Sequence, residues 1–390
     1  MNKITLYVLA LGVFLTATSE LVVSGILPRI AADVNISLAM AGQLISAYSL
    51  AFAIATPIVV SLTNGMKRKA LLLGALGIYM VGSAASALSQ EVIVLMAARV
   101  LLGASSGVFL VVSFGIVSKL VPPEKLGSSI ATIIMGFSTA LILGVPIGIA
   151  VTDWLGWQAI FAMLGLLSAA VGFIIYRLLP EVEGDASVPL SRQIKALGSM
   201  VIIAALLMTL FREGGGSVFL TYITPYLQET MGYRPSDIAV IMLVYGVVGA
   251  VGSRLGGSFV DRWGTMPVLT ATIAAQAASL VLLPLAAGYS WAALLLIGIL
   301  FFSMFASGPA VQSYIIGRSQ GSSNLVLSIN TSVIHLGLAG GAGAGGILVG
   351  GTESVRHHPW LAGFLILLGL TAAFISFAAS RKPQTAKSAA

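Results

Sequence analysis

Long apolar runs are the feature that most constrains this chain. Twelve of them follow one another along its 390 residues, and each approaches the roughly 20 residues that a helix needs to cross a bilayer. The alternating segments of a membrane barrel are much shorter, and a helix satisfies its own backbone hydrogen bonds in lipid. We therefore predict an all-α membrane protein with twelve transmembrane helices, at approximately residues 5–27, 41–63, 70–89, 93–118, 127–151, 157–179, 200–228, 236–259, 266–286, 290–313, 323–348 and 359–379.

The composition indicates the same class. Only 8% of the residues are charged and 58% are apolar, whereas soluble domains hold roughly 25% charged residues. The absence of cysteine from the sequence excludes disulfides and thiolate metal sites. The first run is longer than the apolar core of a signal peptide and no small-residue cleavage site follows it, so we expect it to remain as a helix.

The basic residues predict the orientation, because lysine and arginine in short loops resist translocation. With both termini inside, only Arg29, Arg234 and Arg356 would lie in outer loops. The cytoplasmic side would hold fifteen basic residues: Lys3, Lys67, Arg68, Lys69, Lys119, Lys125, Arg177, Arg192, Lys195, Arg254, Arg262, Arg318, Arg381, Lys382 and Lys387. We predict cytoplasmic termini. These charges form no basic stripe interleaved with aromatic residues, so we expect no nucleic-acid partner.

The chain also repeats itself with a shift of 197 residues and no gap. The matched pairs are Pro28 with Pro225, Tyr48 with Tyr245, Asn64 with Asp261, Gly144 with Gly341 and Gly148 with Gly345. Such a repeat is typical of transporters whose two halves rock about a site near the middle of the membrane. It predicts an N-terminal six-helix bundle at residues 1–180, a cytoplasmic linker at 181–199, and a C-terminal six-helix bundle with a short tail at 200–390.

Glycine and proline mark the fifth run, where Gly144, Pro146 and Gly148 predict a bent helix packed closely on a neighbour. Seven further glycines lie from Gly340 to Gly351, within and just after the eleventh run. Ordinary packing of small residues is the alternative to a hinge in both runs. Asp261 and Arg262 follow the eighth run, where a helix ends at the cytoplasmic side, and Asp261 could cap the next helix and pair with a basic neighbour to latch one conformation. A solvated surface pair of little energetic value is the alternative.

These motifs resemble those of a known family. The segment GSFVDRWG, from Gly257 through Asp261 and Arg262 to Gly264, is similar to the G-x-x-x-D-R-x-G signature of the major facilitator superfamily. Its first-half counterpart at residues 64–69 is degenerate. Arg99 with Gly103 and Gly107 resembles the R-x-x-x-G motif of the fourth helix, and residues 144–148 resemble the fifth-helix motif of proton-coupled exporters.

Within that superfamily, residues 21–49, 135–157, 222–230 and 330–332 are most similar to bacterial purine base and nucleoside efflux pumps, near the arabinose-efflux-like permeases. The resemblance implies a drug/proton antiporter type of protein in the bacterial inner membrane. It also implies export powered by the proton gradient without a cofactor, and action as a monomer.

Charges inside apolar runs are the candidates for coupling, because each is costly unless it is paired or hydrated. Glu20 lies in a polar stripe of the first run, where burial disfavours the charged form and a carboxyl can carry a proton. A permanently paired or protonated structural Glu20 and a substrate contact are the alternatives. Arg99 could be the electrostatic counterweight of Glu20, or a scaffold residue satisfied by carbonyl groups and Glu91.

Arg212 and Glu213 lie about twelve residues into the seventh run. Adjacent residues point about 100° apart on a helix, so we expect them not to pair with each other but with other helices or water. Gly214, Gly215 and Gly216 follow, which predicts local unwinding at the depth where transporters bind substrate. We assign Glu213 to proton coupling and Arg212 to substrate binding; the alternative places both at the cytoplasmic interface by snorkelling.

Uncharged polar residues at similar depths complete the candidate substrate site. They are Gln43, Tyr48, Tyr222, Gln312, Asn330 and His335. Amides offer donors and acceptors and aromatic rings stack on planar heterocycles, so the set would suit a purine, although also a sugar or a drug. Hydrogen bonding between helices is the alternative for each residue alone. We expect at least half of the six to face one central cavity.

Enzymatic activity is not expected, because the chain lacks a P-loop motif and any Gly-Lys pair. No metal site is expected either, since His357 and His358 form a lone loop pair, and we expect both to be solvated. We predict a proton-coupled exporter of a small organic solute in which outside protons bind Glu20. Drug or sugar export, proton-coupled uptake, and a non-transporting membrane receptor are the alternatives.

Overall fold

The structure is a computed structural model that describes residues 3–63, 65–184, 199–286, 288–318 and 323–381. In these ranges twelve spans are long and apolar enough to cross a membrane. Large apolar side chains such as Leu166, Phe173 and Phe364 are exposed on the outside of the bundle, as expected of a surface that faces lipid. The predicted all-α fold with twelve transmembrane helices is confirmed.

In the described residues of the first half there are seven helices: α1 Lys3–Asp33, α2 Leu38–Leu62, α3 Arg68–Leu88, α4 Val92–Leu120, α5 Pro123–Thr139, α6 Val145–Leu155 and α7 Trp157–Leu178. A π-helical turn at Ala140–Gly144 joins α5 to α6, so these two form one interrupted span. Pro146 lies directly after the turn. Since proline has no N–H group, it cannot donate the backbone hydrogen bond that a regular helix needs there, and the interruption supports the predicted bend.

The described part of the second half contains seven further helices: α8 Met200–Thr221, α9 Ile223–Met231, α10 Pro235–Trp263, α11 Thr265–Leu282, α12 Ser290–Arg318, α13 Ser323–Thr352 and α14 His358–Arg381. A short 3₁₀ turn at Leu283–Ala286 extends α11. Tyr222 separates α8 from α9 and leaves the helical conformation. The seventh predicted run is therefore two helices, which meet at this residue.

Local signals set several helix ends. Ser37 caps α2 by accepting a hydrogen bond from the Met40 amide at 3.2 Å, which satisfies a free backbone donor of the first turn. Gly156 and Gly264 each join two helices through one residue, with φ of 84° and 82° respectively. A side chain at this backbone conformation is strained, so glycine permits both tight turns.

Two sets of helices make the most extensive contacts between the halves. In one set α2 packs along α13, and in the other α10 packs against the π turn and α6. Within the halves, α8 packs on both α13 and α14, and α2 also packs on α4. Close approach depends on small residues, since lipid provides no hydrophobic drive for helix association. Gly103, for example, lies against the backbone of Tyr48.

The two ends of the bundle differ in charge. We call the end that holds the α2–α3 and α4–α5 connections, with Lys67, Lys119 and Lys125, the basic face, and the other end the opposite face. On the basic face the start of the predicted linker is anchored: the Lys67 ammonium lies 3.5 Å from the Glu181 carboxylate, and the Arg68 amide donates to the Val182 carbonyl at 2.8 Å. Asn64 and linker residues 185–198 lie outside the described ranges, and the exact domain limits stay a prediction.

Candidate functional site

The middle of α1 carries the buried carboxyl of Glu20, which is only 7% exposed. Three other helices of the same half bind the α1 backbone around it. The Tyr79 hydroxyl donates to the Leu15 carbonyl at 3.0 Å, the Tyr48 hydroxyl to the Thr16 carbonyl at 3.2 Å, and the Arg99 guanidinium to the Ser19 carbonyl at 2.9 Å. These bonds fix the position of Glu20 relative to α2, α3 and α4.

Glu20 faces the other half of the molecule. Its carboxylate oxygen lies 3.6 Å from Nε2 of His335 on α13, and His335 is 6% exposed. The imidazole stacks on Phe52 of α2, with ring centroids 3.5 Å apart and the planes within 4° of parallel. Its Nδ1 lies 3.0 Å from the Thr331 carbonyl. Glu20 and His335, predicted from the sequence for separate roles, therefore meet where α1 and α13 approach each other.

Arg99 lies close to Glu20 without pairing with it. Besides its bond to the Ser19 carbonyl, the guanidinium lies over the Phe161 ring, 4.5 Å from the centroid. Among the described residues it forms no ion pair with Glu20 or Glu91. The predicted alternative of a scaffold residue satisfied by carbonyl groups matches these contacts in part, because a carbonyl and an aromatic face, rather than Glu91, receive the charge.

Arg212 and Glu213 pair with each other inside the second half, so the expectation that they would look elsewhere was wrong. Their Cβ atoms diverge, but both side chains are long enough for the guanidinium and the carboxylate to converge beside the helix. Arg212 also donates to the Ser307 hydroxyl of α12 at 2.8 Å. Arg212 is buried and Glu213 is partly buried near the middle of α8, so the interfacial alternative is not what the structure shows.

Sequence reasoning missed the other members of this network. The Gln276 amide on α11 is 3.3 Å from the Ser303 carbonyl and 3.5 Å from the Ser307 hydroxyl, and Gln276 is 1% exposed. An amide inside an apolar run is a signal that could have identified it. Ser307 carries no such signal, because serine is common in membrane helices.

The glycines after Glu213 do not unwind the helix, as α8 continues to Thr221. That expectation was wrong because they serve close packing instead. Gly214 lies against Gly337 and Gly341 of α13, and Gly215 lies against α14 at Ala362. A hydrogen-bonded helix is retained, and the neighbouring helices fill the space that side chains would occupy.

Contacts between the halves close the opposite face. The Ser46 hydroxyl of α2 donates to the Ala339 carbonyl of α13 at 3.0 Å, and the Thr224 hydroxyl of α9 donates to the Gly25 carbonyl of α1 at 3.2 Å. Gln43 and Tyr222 pack together against Gly346. Ser46 and Thr224 were not predicted, because a hydroxyl alone gives little signal in a membrane helix.

The six uncharged candidates do not form one group. Gln43 and Tyr222 lie in the closed region toward the opposite face, whereas Tyr48 and His335 lie beside Glu20. Asn330 is buried toward the basic face, and its Oδ1 has no hydrogen-bond partner among the residues that the structure describes. Gln312 is exposed on α12. In this conformation, with the opposite face closed, four of the six residues form two separate pairs. We expected at least half of the six to face one central cavity.

Comparison with known proteins identifies the family. The model of the Major Facilitator Superfamily matches residues 9–324. The chain belongs to this superfamily. An uncharacterised transporter of the same superfamily from Bacillus subtilis, YbcL, is 34% identical over 96% of both chains. A putative transporter from Escherichia coli, AraJ, is 26% identical over 97% of this chain and 93% of its own.

Further matches of this major facilitator protein concern export and fold. A chloramphenicol efflux pump from Mycobacterium tuberculosis is 28% identical over 88% of this chain and 85% of its own. The crystal structure of a D-xylose–proton symporter superposes with a TM-score of 0.79 at 19% identity, over 96% of both chains. The first match is a relative in sequence, and the second shows the shared fold.

The superfamily motifs lie at helix contacts and ends. Gly144 packs on Thr18 and Gly148 on Val22, both on α1, while Ile142 in the π turn packs on Gly246 of α10 in the other half. The interrupted span therefore touches both halves. At the basic face Gly257, Asp261, Arg262 and Gly264 end α10; Asp261 is exposed and forms no ion pair among the described residues, and Gly264 precedes α11 without a side-chain cap.

The loop histidines differ from expectation. His357 is exposed, but His358 is fully buried, so the expectation that both are solvated was wrong. The two ring nitrogens of His358 lie 3.1 Å from the Val355 carbonyl and 3.0 Å from the Gly345 carbonyl. It begins α14 and packs beside Tyr222, which shields it from solvent. No cluster of three or more metal-ligating side chains occurs in the described ranges.

Proposed function

We propose that this transporter exports a small organic solute in exchange for protons, with Glu20 as the proton carrier. The observation that carries the proposal is the position of Glu20. It is buried, it lies where α1 meets α13 of the other half, and in the described structure no lysine or arginine neutralises it. A buried carboxyl without a permanent counter-ion can gain and lose a proton, and its place between the halves links that event to their movement.

Alternating access would run between the two faces. The distribution of lysine and arginine supports a cytoplasmic location for the basic face. The hydrogen bonds of Ser46 and Thr224 hold the opposite face closed, so a solute would enter from the cytoplasm in this conformation. When the halves rock, Glu20 would take up an outside proton and the solute would leave; the proton would then be released inside.

A neutral, partly aromatic solute fits the polar groups best. Arg212 and Glu213 neutralise each other, so this region offers no net charge to a charged solute. Gln43, Asn330 and Tyr222 offer amide groups and an aromatic ring, which suit a planar heterocycle such as a purine base or nucleoside. The chloramphenicol efflux pump among the relatives supports a drug of the same general character as the second candidate.

Counterflow in proteoliposomes tests the proposal. Proteoliposomes that contain the purified protein would be tested with labelled hypoxanthine, inosine, chloramphenicol, arabinose or a cationic dye, with and without a pH gradient across the vesicle membrane. We expect a purine or chloramphenicol to move, and an outside-acid gradient to accelerate its export. Movement that a collapsed gradient leaves unchanged would contradict proton exchange, and accumulation along with the protons would indicate uptake instead. Membership of a transporter family supports transport over the receptor alternative, as movement of any of these solutes would.

Oligomeric state is part of the same proposal. Each half contributes one side of the central contact between α1 and α13, so a single chain contains the whole proposed pathway. We propose that it acts as a monomer. Transport in vesicles reconstituted with at most one chain each would agree with this, and transport that requires two chains would contradict it.

A further inference from the structure

We propose that Glu20 and His335 hold one proton between them, and that this shared proton keeps the two halves together at the middle of the membrane. The inference rests on the proposed proton exchange and adds a second proton-holding residue, on the half opposite to Glu20. It assigns to His335 a role in coupling, in place of the substrate contact predicted from the sequence.

The hydrogen bonding of the imidazole is the first step. His335 Nδ1 lies 3.0 Å from the Thr331 carbonyl, one turn earlier on α13. A carbonyl oxygen only accepts, so Nδ1 carries the hydrogen in this bond. In the neutral ring Nε2 is then an acceptor, and Nε2 has no hydrogen-bond partner in the described structure. The ring therefore presents an unshared electron pair to whatever faces it.

A carboxylate oxygen of Glu20 faces Nε2 of His335. Glu20 Oε1 lies 3.6 Å from Nε2, and a carboxylate is also an acceptor only. Two acceptors buried against each other without a hydrogen between them are unfavourable. One proton removes the conflict, whether it resides on Nε2 as a donor to the carboxylate or on Glu20 as a donor to the ring. The closed contact thus requires a proton that the separated residues do not.

Among the described residues, neither Glu20 nor His335 forms an ion pair with any other charged group. Toward Glu20, Tyr48 on α2 and Arg99 on α4 already donate to α1 carbonyl groups. Tyr79 on α3 does the same. Toward His335, Phe52 on α2 covers one ring face. On α8, Glu213 packs near Gly337, two residues beyond His335, and is paired with Arg212.

The shared proton would determine which of the two conformations is favoured. With its proton, the pair favours the conformation in which the opposite face is closed; loss of the proton toward the basic face weakens the contact and lets the halves separate. Phe52 holds the imidazole plane in position, so a sideways rotation cannot replace the contact. The proton is bound by both halves jointly, which links its binding to the movement without a separate signal.

Distance measurements across the opposite face test this. The chain has no cysteine, so Gln90→Cys and Tyr289→Cys place spin labels on exposed sites, one on each half, in a background without other thiols. The ratio of closed to open populations would be measured on the full chain by double electron–electron resonance. The pH would be varied from about 5 to 8, the range in which an imidazole typically titrates. We expect the closed population to fall as the pH rises, by about fivefold or more in the ratio, as is usual for linked sites.

Two variants should respond in opposite directions. Glu20→Gln retains a donor toward Nε2, so its closed population should exceed that of the parent protein at high pH and should change little across the range, while the open conformation stays populated enough for solute exchange. His335→Leu removes the partner and should favour the open population at every pH. The double variant should behave like His335→Leu, because only one contact is lost. His357→Gln, at an exposed histidine, is the matched control and should retain the response of the parent protein.

Some outcomes would overturn the inference. A parent ratio that does not change with pH would do so, as would variants that retain the parent response. These outcomes are separable from failure of the proposed function. Loss of gradient-driven export in Glu20→Gln, together with a normal pH response in His335→Leu, would leave proton exchange in place and reject the shared proton. The spin-label variants must be monodisperse and helical by circular dichroism, so that unfolding is not taken for opening.

Discussion

In the first half of the molecule the buried carboxyl of Glu20 has no lysine or arginine partner among the described residues and faces the other half, whereas in the second half Glu213 is neutralised by its neighbour Arg212. Both lie near the middle of the first helix of their half. The difference separates a charge that can respond to the movement of the halves from one that moves with its own bundle. We interpret the first as functional and the second as structural.

The internal repeat makes this comparison residue by residue. The shift of 197 places Tyr79 on Gln276 and Leu15 on Arg212. In the first half Tyr79 binds the Leu15 carbonyl, while in the second half Gln276 approaches Ser307, which binds Arg212. The first and third spans are thus joined directly in the first half, whereas in the second half they are linked only through the Ser307 hydroxyl of α12.

Breaking the Arg212–Glu213 pair should have the largest effect. Replacement of one partner leaves the other charge buried, which typically costs about 3–5 kcal/mol. We expect Glu213→Gln and Arg212→Met each to lower the thermal stability of the protein in detergent strongly. The double variant should recover much of it, since no unpaired charge remains, and Glu20→Gln should change stability little.

One result would contradict the assignment of a structural role to Glu213. If Glu213→Gln folds as stably as the parent protein but loses gradient-driven export, then the second half also carries a coupling charge, and Glu20 and Glu213 do not differ in role.

Close glycine contacts, which occur at corresponding positions within each half, should give the next largest effect on stability. A methyl group on Gly341 would collide with the Gly214 backbone, whereas Gly340, its neighbour on the same helix, has no atom within 4 Å of such a group. Overpacking typically costs about 1–3 kcal/mol. We therefore expect Gly341→Ala to lower the melting temperature and Gly340→Ala to leave it nearly unchanged; equal melting temperatures would argue against close packing of α13 on α8.

Hydrogen bonds between the halves should have a smaller effect. Thr224→Val removes the bond to the Gly25 carbonyl, and one such bond contributes about 0.5–1.5 kcal/mol. We expect a modest shift toward the conformation open at the opposite face, seen as faster thiol labelling of a single cysteine at Gln43. Thr270→Val is a matched control, because its hydroxyl binds only its own helix; the same increase in that variant would exclude a specific contact.

The basic-face motif should have the smallest effect on this conformation. Asp261 is exposed and without an ion pair among the described residues, and exposed pairs are worth about 0–1 kcal/mol. If it latches another conformation, Asp261→Asn should lower the transport rate more than the substrate affinity. An unchanged rate with lost affinity in the counterflow assay would reject the latch.

Much of the fold followed from the sequence because lipid imposes one local rule, a long apolar helix for each crossing. The interruption near Pro146 could be predicted for the same reason, since proline removes a backbone donor wherever it occurs. The break at Tyr222 could not, because the three glycines before it are the stronger local signal and only their neighbours on α13 and α14 show that they serve packing.

The candidate site was predictable only residue by residue. Glu20 and His335 each stand out as titratable groups in apolar runs, yet their pairing depends on how α1 and α13 approach each other. The pairing of Arg212 with Glu213 was missed because side-chain length outweighs the angle between adjacent positions. Gln276 was within reach of the same reasoning, whereas Ser46 and Thr224 become recognisable only through their contacts across the halves.

Comparison of exchange and gradient-driven export in Glu20→Gln tests the central claim most directly. Both would be measured in the same proteoliposomes, with a solute that the parent protein moves. Our account predicts that the variant retains solute exchange at equal pH but loses the acceleration by an outside-acid gradient, because it can still bind solute and cannot release a proton. A variant that responds to the gradient like the parent protein would contradict the account.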